Sequence, residues 1–512
     1  MAVLNSSETG CAGRLLIRAD ATAKIGTGHV MRCLALAQAW QDIGGDAAFA
    51  MASIPPAVRA KLKVQRCGVH NISAPPGSSE DTLETSRLAA NLGATWVVVD
   101  GYVFNQIYYS ALKASGLKVL AVDDYGHAQR YEVDLVLNQN AYAEPGMYEG
   151  RAVGARPLLG ARYVLLRREF YRLRGWQRDI AEVARRILVT LGGSDFHNTT
   201  ALVLKALSGL ALEDLEVVAV AGATNRHIDS LKSAIEAFGP GSRLAMNVED
   251  MPSLMEWADL AITAGGSTCW ETAFMGLPSL AFVVADNQRR IAERLHAAGV
   301  AMNLGHPDAL DWKDFGMETQ ALLSSRAARA RMAQAGQALV DGYGPDRVVS
   351  AMMGQVIWLR QARPPDCEML WKWASDPVTR ANSFSSNPIP WEDHRNWYAA
   401  RLGDTACLLF IACDAVDRAV GYIRFDVAGG EATISICVAP EHRGAGLGRV
   451  MIVIAAGKLL KEGRVRCIHA YIRPENLASI KVFAGAGFEE AGTAQVKGVP
   501  ALHFLLMGDR AS

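Results

Sequence analysis

The sequence predicts an α/β protein made of two successive units with parallel sheets and a third α/β domain of a different kind. Short continuous apolar runs alternate with helical patterns over the first two thirds of the chain, and the alternation starts afresh near residue 186. Continuous apolar runs are typical of strands buried on both faces of a parallel sheet. From residue 358 onward, neighbouring strand patterns are joined by short glycine-containing connections, which indicates antiparallel pairing.

The length and the composition set the domain count and the class of protein. A chain of 512 residues holds roughly three domains at ~150 residues each, and we expect them at 1–155, 156–345 and 346–512. Half of the residues are hydrophobic (50%) and a fifth are charged (20%), which is typical of a globular enzyme. The 52 basic residues balance the 52 acidic ones, so the composition indicates no nucleic-acid or anionic-membrane partner.

The cysteines and the apolar runs indicate the compartment. The nine cysteines are odd in number, scattered and never in CxxC spacing, which favours reduced thiols over a disulfide framework or a zinc cluster. We therefore expect no metal. The first fourteen residues do not have the pattern of a signal peptide, and no apolar run reaches the ~18 residues that a membrane-spanning helix needs. We expect a cytoplasmic protein.

The first unit places a histidine where a helix begins. Apolar runs at 15–17, 96–100 and 118–124 predict strands, and the loops at their carboxyl ends face the ligand crevice of such a sheet. His29 follows a glycine-rich turn and precedes a helix predicted at about 30–43. A helix N-terminus disfavours imidazolium and keeps the ring neutral as a base. Most single histidines are structural, but this position favours a catalytic one.

The second unit carries two strand-to-helix glycine turns. One contains Gly193 and Ser194, and the other contains Gly266, Ser267 and Thr268. Free amides and hydroxyls in such turns suit a phosphate. One helical turn further on, a glutamate suits ribose hydroxyls, and an asparagine follows the next strand at its ligand-facing end; these residues are Glu271 and Asn287. Each motif alone is also compatible with a packed turn.

These motifs, IGTGHVMR, GGSD, AGGST-x-x-E and ADNQ, span about residues 15–340. Together they resemble the UDP-2,4-diacetamido-2,4,6-trideoxy-β-L-altropyranose hydrolases of pseudaminic acid biosynthesis, relatives of MurG-type glycosyltransferases with two Rossmann-like lobes in the GT-B architecture. The resemblance implies that His29 is the catalytic histidine and that the two lobes hold a UDP-sugar site. As a base, His29 would activate a water, with Asp20 or another nearby carboxylate orienting it, and we expect the reaction to need no metal. The residues implied at the UDP-sugar site are Gly28, Arg167, Gly193, Ser194, Gly266, Ser267, Thr268, Glu271 and Asn287.

The sequence leaves open which of two adjacent arginines fits one position of the family pattern. The stretch 163–170 reads Tyr-x-Leu-Leu-Arg-Arg-Glu-Phe and matches the family pattern with one arginine. The resemblance makes Arg167 the phosphate contact, and Arg168 is the alternative.

The third domain contains a second phosphate-binding pattern. The sequence Arg-Gly-Ala-Gly-Leu-Gly at 443–448 lies between a predicted strand and a predicted helix, about thirty residues before an Asn-x-x-Ser motif. Glycines and a helix N-terminus at that place suit a pyrophosphate. The combination resembles the GNAT superfamily of N-acetyltransferases, an α/β fold, and implies acetyl-CoA as co-substrate. The residues implied near it are Val438, Arg443, Gly444, Gly446, Gly448, Asn476 and Ser479.

The acid and base of acetyl transfer remain open in the sequence. Many family members have a tyrosine where this chain has Phe483, so Tyr471 or a bound water is the expected substitute. Glu431 and His394 are the candidate bases. The start of the domain resembles acetyltransferases that act on UDP-4-amino sugars, although its four tryptophans are equally compatible with core packing; these are Trp371, Trp373, Trp391 and Trp397.

The two resemblances together predict a bifunctional enzyme. The third domain would acetylate the 4-amino group of a UDP-4-amino sugar, and the first two would hydrolyse the product to UDP and the free diacetamido sugar. Two alternatives stay open: a GT-B half that transfers the sugar to an acceptor, or a half that only binds its nucleotide sugar or acyl-CoA. Because Phe483 stands where many family members have the tyrosine, the binding-only alternative is favoured more for the third domain than for the first two. The partners expected are therefore a UDP-sugar and acetyl-CoA.

Overall fold

A computed structural model describes residues 12–22, 25–192, 195–210, 214–222 and 225–508. The chain divides into two compact units, one reaching residue 348 and the other starting at 349, with residues 42–44 assigned to the second. The first unit holds two parallel sheets and the second holds one mixed sheet. These observations confirm the predicted α/β class.

The first sheet is entirely parallel and has seven strands. Its strands are β1 (Arg14–Ala19), β2 (Asp46–Met51), β3 (Gly68–Asn71), β4 (Ala94–Asp100), β5 (Lys118–Val122), β6 (Leu135–Asn138) and β7 (Arg156–Leu159). Its helices are α1 (Gly28–Asp42), α2 (Pro56–Val64), α3 (Ser79–Leu92) and α4 (Gln106–Ala114).

The strand order is β3-β2-β1-β4-β5-β6-β7, so the direction of winding reverses between β1 and β4. In open parallel sheets, ligands bind outside the carboxyl ends of the strands at this reversal. The residues that follow β1 and end β4 are therefore those that line the crevice of this lobe. The predicted domain boundary at residue 155 falls just before β7, the edge strand of this sheet.

The second sheet has six parallel strands in the order β10-β9-β8-β11-β12-β13. These are β8 (Arg186–Thr190), β9 (Glu216–Ala221), β10 (Arg243–Met246), β11 (Leu260–Ala264), β12 (Ser279–Phe282) and β13 (Ala301–Gly305). The helices that follow are α5 (Thr199–Ser208), α6 (Ile228–Ile235), α7 (Met251–Trp257), α8 (Thr268–Phe274), α9 (Arg289–Ala297), α10 (Trp312–Ser324), α11 (Arg326–Leu339) and α12 (Gly344–Met352).

The sheet of the second unit has seven strands in the order β14-β15-β16-β17-β18-β20-β19. The strands are β14 (Ile357–Gln361), β15 (Cys407–Asp414), β16 (Ala419–Ala428), β17 (Glu431–Val438), β18 (Cys467–Ile472), β19 (Glu489–Val496) and β20 (Val499–Met507). The helices are α13 (Cys367–Ser375), α14 (Pro377–Ala381), α15 (Trp391–Gly403), α16 (Leu447–Lys461) and α17 (Leu477–Gly485).

The antiparallel pairing predicted for this sheet holds for all its neighbours except β17 and β18, which are parallel. The helix α16 lies between these two strands in the chain, and such a crossover returns the chain in the same direction. Within the described ranges, none of the helices combines the length and the apolar character required to cross a bilayer.

Candidate functional site

The crevice of the first lobe contains a histidine–aspartate pair. His29 lies in the first turn of α1, and its Nδ1 is 2.6 Å from Oδ1 of Asp100 at the end of β4. A carboxylate only accepts hydrogen bonds, so Nδ1 carries the hydrogen. The other ring nitrogen, Nε2, has no hydrogen-bond partner in the described part of the chain, and 11% of the side chain is exposed. The ring is therefore oriented through one nitrogen and keeps the other available for a proton.

A buried arginine holds the charge of this pair. Arg32 donates from Nε and Nη2 to Asp100, at 2.7 Å each, and from Nη1 to Asp124 at 2.8 Å. Burial acts to raise the pKa of both carboxyls, but the Arg32 charge outweighs it and holds each pKa below its usual range. Asp100 is therefore ionised at neutral pH and can stabilise an imidazolium on His29.

A tyrosine links this network to the second lobe. The Tyr102 hydroxyl donates to Asp124 at 2.6 Å and accepts from Nδ2 of Asn287 at 3.1 Å. Burial, with Asp124 beside it, raises the pKa of Tyr102, so the hydroxyl keeps its proton. A chain of hydrogen bonds thus runs from Asp100 through Arg32, Asp124 and Tyr102 to Asn287, which is predicted at the UDP-sugar.

The orienting carboxylate is Asp100 and not Asp20. Asp20 follows β1 and accepts from Arg18 Nη1 at 2.7 Å and from the amides of Ala52 and Ser53 at 2.6 and 3.0 Å. These contacts use its oxygens, and none of them is with His29. Asp100 is not predicted from the sequence because it lies 71 residues further along the chain than His29. The usable signal was that an apolar run ends in this acid.

The glycine turn of the second lobe lies next to the histidine turn of the first. A Cβ placed on Gly28 would be 3.7 Å from Oγ of Ser267. The amides of Gly266, Ser267 and Thr268 donate to no acceptor within the described ranges, and α8 begins at Thr268. The turn therefore offers unpaired N–H groups beside the candidate base, as an anion requires.

Two residues that are predicted to contact the UDP-sugar, Arg167 and Glu271, form an ion pair with each other. Arg167 Nη2 lies 2.8 Å from Oε1 of Glu271, and its Nη1 lies 2.9 Å from Oε1 of Glu169. Arg168 instead donates from its backbone amide and its guanidinium to Gln38 of α1. The arginine that contacts Glu271 is therefore Arg167, and Arg168 contacts the first lobe; the predicted phosphate contact of Arg167 stays a prediction.

Gly193 and Ser194 lie outside the described residues. The aspartate that follows them has a structural contact: Asp195 accepts from the amides of Thr199 and Thr200, each at 2.9 Å, at the start of α5.

The glycine loop of the second unit leaves its amides unpaired. Gly444 and Gly446 have φ of +79° and +75°, in the left-handed region that favours glycine. The amides of residues 444–448 donate to no acceptor in the part of the chain that the structure describes, and α16 begins at Leu447. A Cβ on Gly448 would lie 3.5 Å from Val438, so the loop lies against the end of β17. This arrangement suits a pyrophosphate.

The strands β17 and β18 separate next to this loop. Their parallel pairing covers only residues 431–433 against 467–469, whereas β17 stays paired with β16 as far as Val438. The remaining half of β17 is therefore unpaired on the side of β18. Two predicted cofactor residues also have structural contacts: Asn476 accepts from the Ser479 amide at 3.1 Å, which caps α17.

The side chain of Arg443 is hydrogen-bonded to residues outside the glycine loop. It donates to Asp376 Oδ1 at 2.7 Å and to the Thr379 hydroxyl at 2.8 Å. Its guanidinium is therefore already paired within the domain, and its backbone amide donates to the Pro440 carbonyl oxygen at 3.4 Å.

The candidate acids and bases of this unit have other contacts. Phe483 is buried against Phe488, with ring centroids 5.1 Å apart. His394 is buried, which lowers its pKa, and its Nε2 lies 3.1 Å from the Cys367 carbonyl oxygen. Glu431 is paired with Arg466 and a histidine. Among the tryptophans, Trp373 is buried and Trp371 donates to the Ile389 carbonyl at 2.8 Å; Trp391 and Trp397 are half-buried.

Comparison with known proteins finds similarity in both regions. Residues 357–489 match the acetyltransferase (GNAT) domain, and residues 186–338 match the glycosyltransferase family 28 C-terminal domain. The chain is 25% identical over 288 residues to UDP-2,4-diacetamido-2,4,6-trideoxy-β-L-altropyranose hydrolase of Campylobacter jejuni, covering 56% of this chain and 97% of that protein. It is 22% identical over 491 residues to an uncharacterized protein of Methanocaldococcus jannaschii, covering 93% and 97%.

A solved structure of aminoglycoside acetyltransferase AAC(6')-Ib in complex with coenzyme A is 22% identical, covers 30% of this chain and 94% of its own, and has a TM-score of 0.28. The family matches and the hydrolase relative confirm the predicted combination of a glycosyltransferase-like, altropyranose-hydrolase-like region with a GNAT domain.

Proposed function

We propose that this chain is a bifunctional nucleotide-sugar enzyme. Its first two domains, 1–155 and 156–345, hydrolyse UDP-2,4-diacetamido-2,4,6-trideoxy-β-L-altropyranose to UDP and the free sugar. Its third domain, 346–512, transfers the acetyl group of acetyl-CoA to the 4-amino group of the UDP-4-amino sugar precursor. The observation that carries the proposal is the 2.6 Å contact between Nδ1 of His29 and Asp100, with Gly28, the residue before His29, lying next to Ser267 of the glycine turn 266–268.

In the hydrolytic step, a water oxygen attacks C1 of the sugar. The bond from C1 to the β-phosphate oxygen breaks, and its electron pair stays on UDP. His29 Nε2 accepts the proton of the water while Asp100 holds the Nδ1 hydrogen and stabilises the imidazolium. Positioning the water and stabilising the charge that develops on the diphosphate are then the main tasks of the protein.

The second lobe supplies the groups for UDP. The amides of Gly266, Ser267 and Thr268 receive the diphosphate charge, and Asn287 contacts the sugar. Glu271 accepts hydrogen bonds from the ribose hydroxyls, and the Arg167 guanidinium beside it, 2.8 Å away, keeps a cation near the leaving group.

In the acetyl-transfer step, the neutral 4-amino group attacks the thioester carbonyl carbon, the carbon–sulfur bond breaks with its electron pair on sulfur, and the nitrogen releases one proton to solvent as the amide forms. The pyrophosphate of acetyl-CoA binds the amides of residues 443–448, with Asn476 and Ser479 near its arm, and the pantetheine follows the open edge of β17 to Val438. Tyr471 or a bound water gives the proton to the CoA thiolate in place of the tyrosine that Phe483 replaces.

Product analysis in ¹⁸O-labelled water tests both steps in the full chain. With the UDP-4-amino sugar and acetyl-CoA, we expect CoA thiol, then UDP and a diacetamido sugar that carries the label at C1. With acetyl-CoA alone, we expect no thiol. Label in UDP would show attack at phosphorus and contradict the proposed step.

A glycosyltransferase activity is the second candidate, because residues 186–338 match a glycosyltransferase family. The same assay separates the two activities. Free sugar formed without any added acceptor supports hydrolysis, whereas UDP release that depends on an acceptor supports transfer. Binding of acetyl-CoA without thiol release would make the third domain a binding module instead.

A further inference from the structure

A cluster of metal-binding side chains lies at the closed end of the β17–β18 pair. Glu431 pairs in register with Cys467, and His469 follows two residues later on β18. His469 Nε2 lies 3.0 Å from Oε2 of Glu431 and 3.5 Å from Sγ of Cys467. The three ligand atoms all lie within 4.8 Å of one another. Neither of the two reactions proposed above uses this cluster as a unit.

The spacing of these atoms fits a tetrahedral zinc ion. Zinc binds thiolate sulfur at about 2.3 Å and imidazole nitrogen at about 2.0 Å, so two such ligands lie about 3.5 Å apart at a tetrahedral angle. The observed distance between Cys467 Sγ and His469 Nε2 is 3.5 Å. A nitrogen and a carboxylate oxygen would lie about 3.4 Å apart by the same reasoning, and the 3.0 Å between His469 and Glu431 needs only a small opening.

Two neighbouring side chains orient the ligands. His503 Nε2 lies 2.9 Å from Nδ1 of His469, and Arg466 Nη2 lies 2.6 Å from Oε1 of Glu431. When Nδ1 of His469 donates to His503, Nε2 keeps its lone pair for a metal. Arg466 binds one carboxylate oxygen and leaves the other directed at His469. Partners of this kind fix the tautomer and direction of metal ligands.

We propose that Glu431, Cys467 and His469 bind one zinc ion, with the fourth position open to water. Thiolate, imidazole and carboxylate together favour Zn²⁺ over Mg²⁺ or Ca²⁺. Binding replaces the thiol proton of Cys467, which is released to solvent. The ion joins β17 to β18 across the short paired segment 431–433 and 467–469 that precedes the separation of the strands, and so it fixes the base of the open slot.

Metal titration of the full chain tests the site. After removal of metal with a chelator, the wild type binds one more equivalent of Zn²⁺ than Cys467→Ser. Co²⁺ gives the wild type a thiolate-to-cobalt charge-transfer band that Cys467→Ser lacks. Zn²⁺ raises the Tm of the wild type and not that of the variant. Cys367→Ser, in the same domain and outside the cluster, is the matched control and behaves as the wild type.

A second variant keeps the test valid if Cys467→Ser does not fold. His503→Ala removes the partner of His469, together with a ring stacked on Tyr471, leaves the three ligands in place, and is expected to weaken zinc binding about 10- to 100-fold. The proposal is overturned if the folded wild type binds no Zn²⁺ against a micromolar chelator, if no thiolate–cobalt band forms, or if Cys467→Ser binds zinc with wild-type affinity.

Discussion

The described part of the first lobe contains two histidine–aspartate pairs with the same hydrogen-bond length, and they differ in the contacts of the second ring nitrogen. His29 Nδ1 and His127 Nδ1 each lie 2.6 Å from an oxygen of Asp100 and Asp123, respectively. His127 also uses Nε2, which lies 2.8 Å from the Phe104 carbonyl oxygen. His29 Nε2 has no such partner in the described part of the chain. A histidine with both ring nitrogens hydrogen-bonded within the protein has a structural role. A histidine with one ring nitrogen left over can accept a proton from a bound water.

The carboxylates of the two pairs also differ in their other contacts. Asp100 shares its charge with the buried Arg32, whereas Asp123 accepts from the Tyr148 hydroxyl at 2.5 Å and from the Gly126 amide at 2.6 Å. The first set is a charge network that extends through Asp124 to the second lobe. The second set holds a loop after β5. Substitutions in matched positions therefore separate catalysis from stability.

The largest difference is expected between Asp100→Asn and Asp123→Asn. Asp100→Asn removes the negative charge on Nδ1 of His29, and the rate of UDP release is expected to fall about 10²- to 10⁴-fold. Asp123→Asn is expected to keep UDP release within about threefold of the wild type, with a lower Tm, because the lost charged hydrogen bond contributes about 1.5–3 kcal/mol. Steady-state kinetics and thermal unfolding measure both. Equal losses of rate would remove the distinction between the pairs.

A smaller difference is expected between Tyr102→Phe and Tyr148→Phe. Tyr102→Phe breaks the link from Asp124 to Asn287, and kcat/KM for UDP release is expected to fall about tenfold, as the loss of about 1.4 kcal/mol implies. Tyr148→Phe removes the corresponding hydroxyl from Asp123 and is expected to leave kcat/KM unchanged. A fall with Tyr148→Phe, or none with Tyr102→Phe, would contradict the role of Tyr102.

The smallest expected effect is on the pH dependence of stability. Burial acts to lower the pKa of His127, but the bond to Asp123 outweighs it and raises that pKa. The pair therefore stabilises the fold fully below the ordinary histidine pKa of about 6.5 and loses this contribution as the pH rises through the raised value. The free energy of unfolding of the wild type minus that of His127→Asn should be larger at about pH 6 than at about pH 9. A difference that is constant or grows with pH would be the wrong sign.

Local patterns in the sequence predicted much of the fold and part of the sites. Apolar runs predicted the parallel sheets because a strand that is buried on both faces needs an apolar residue at nearly every position. The turn at Gly28 and His29 and the loop at 444–448 were predicted because each is a continuous segment whose geometry depends on its own glycines.

Partners that are distant in the chain were not predicted. Asp20 was chosen as a carboxylate close to His29 in the sequence, but the strand order places β4 beside β1 and brings Asp100 to the ring. Cys467 and His469 showed no zinc spacing because their third partner, Glu431, lies on a strand joined through a crossover helix. Such contacts depend on the order and register of the strands, and neither can be read from the spacing of residues in the sequence.

The most direct test measures UDP release and CoA thiol release together in full-length His29→Asn and His127→Asn. We expect His29→Asn to lose UDP release at least about 100-fold while thiol release continues at the wild-type rate, and His127→Asn to keep both. UDP release by His29→Asn at a near wild-type rate would contradict the assignment of His29 as the base.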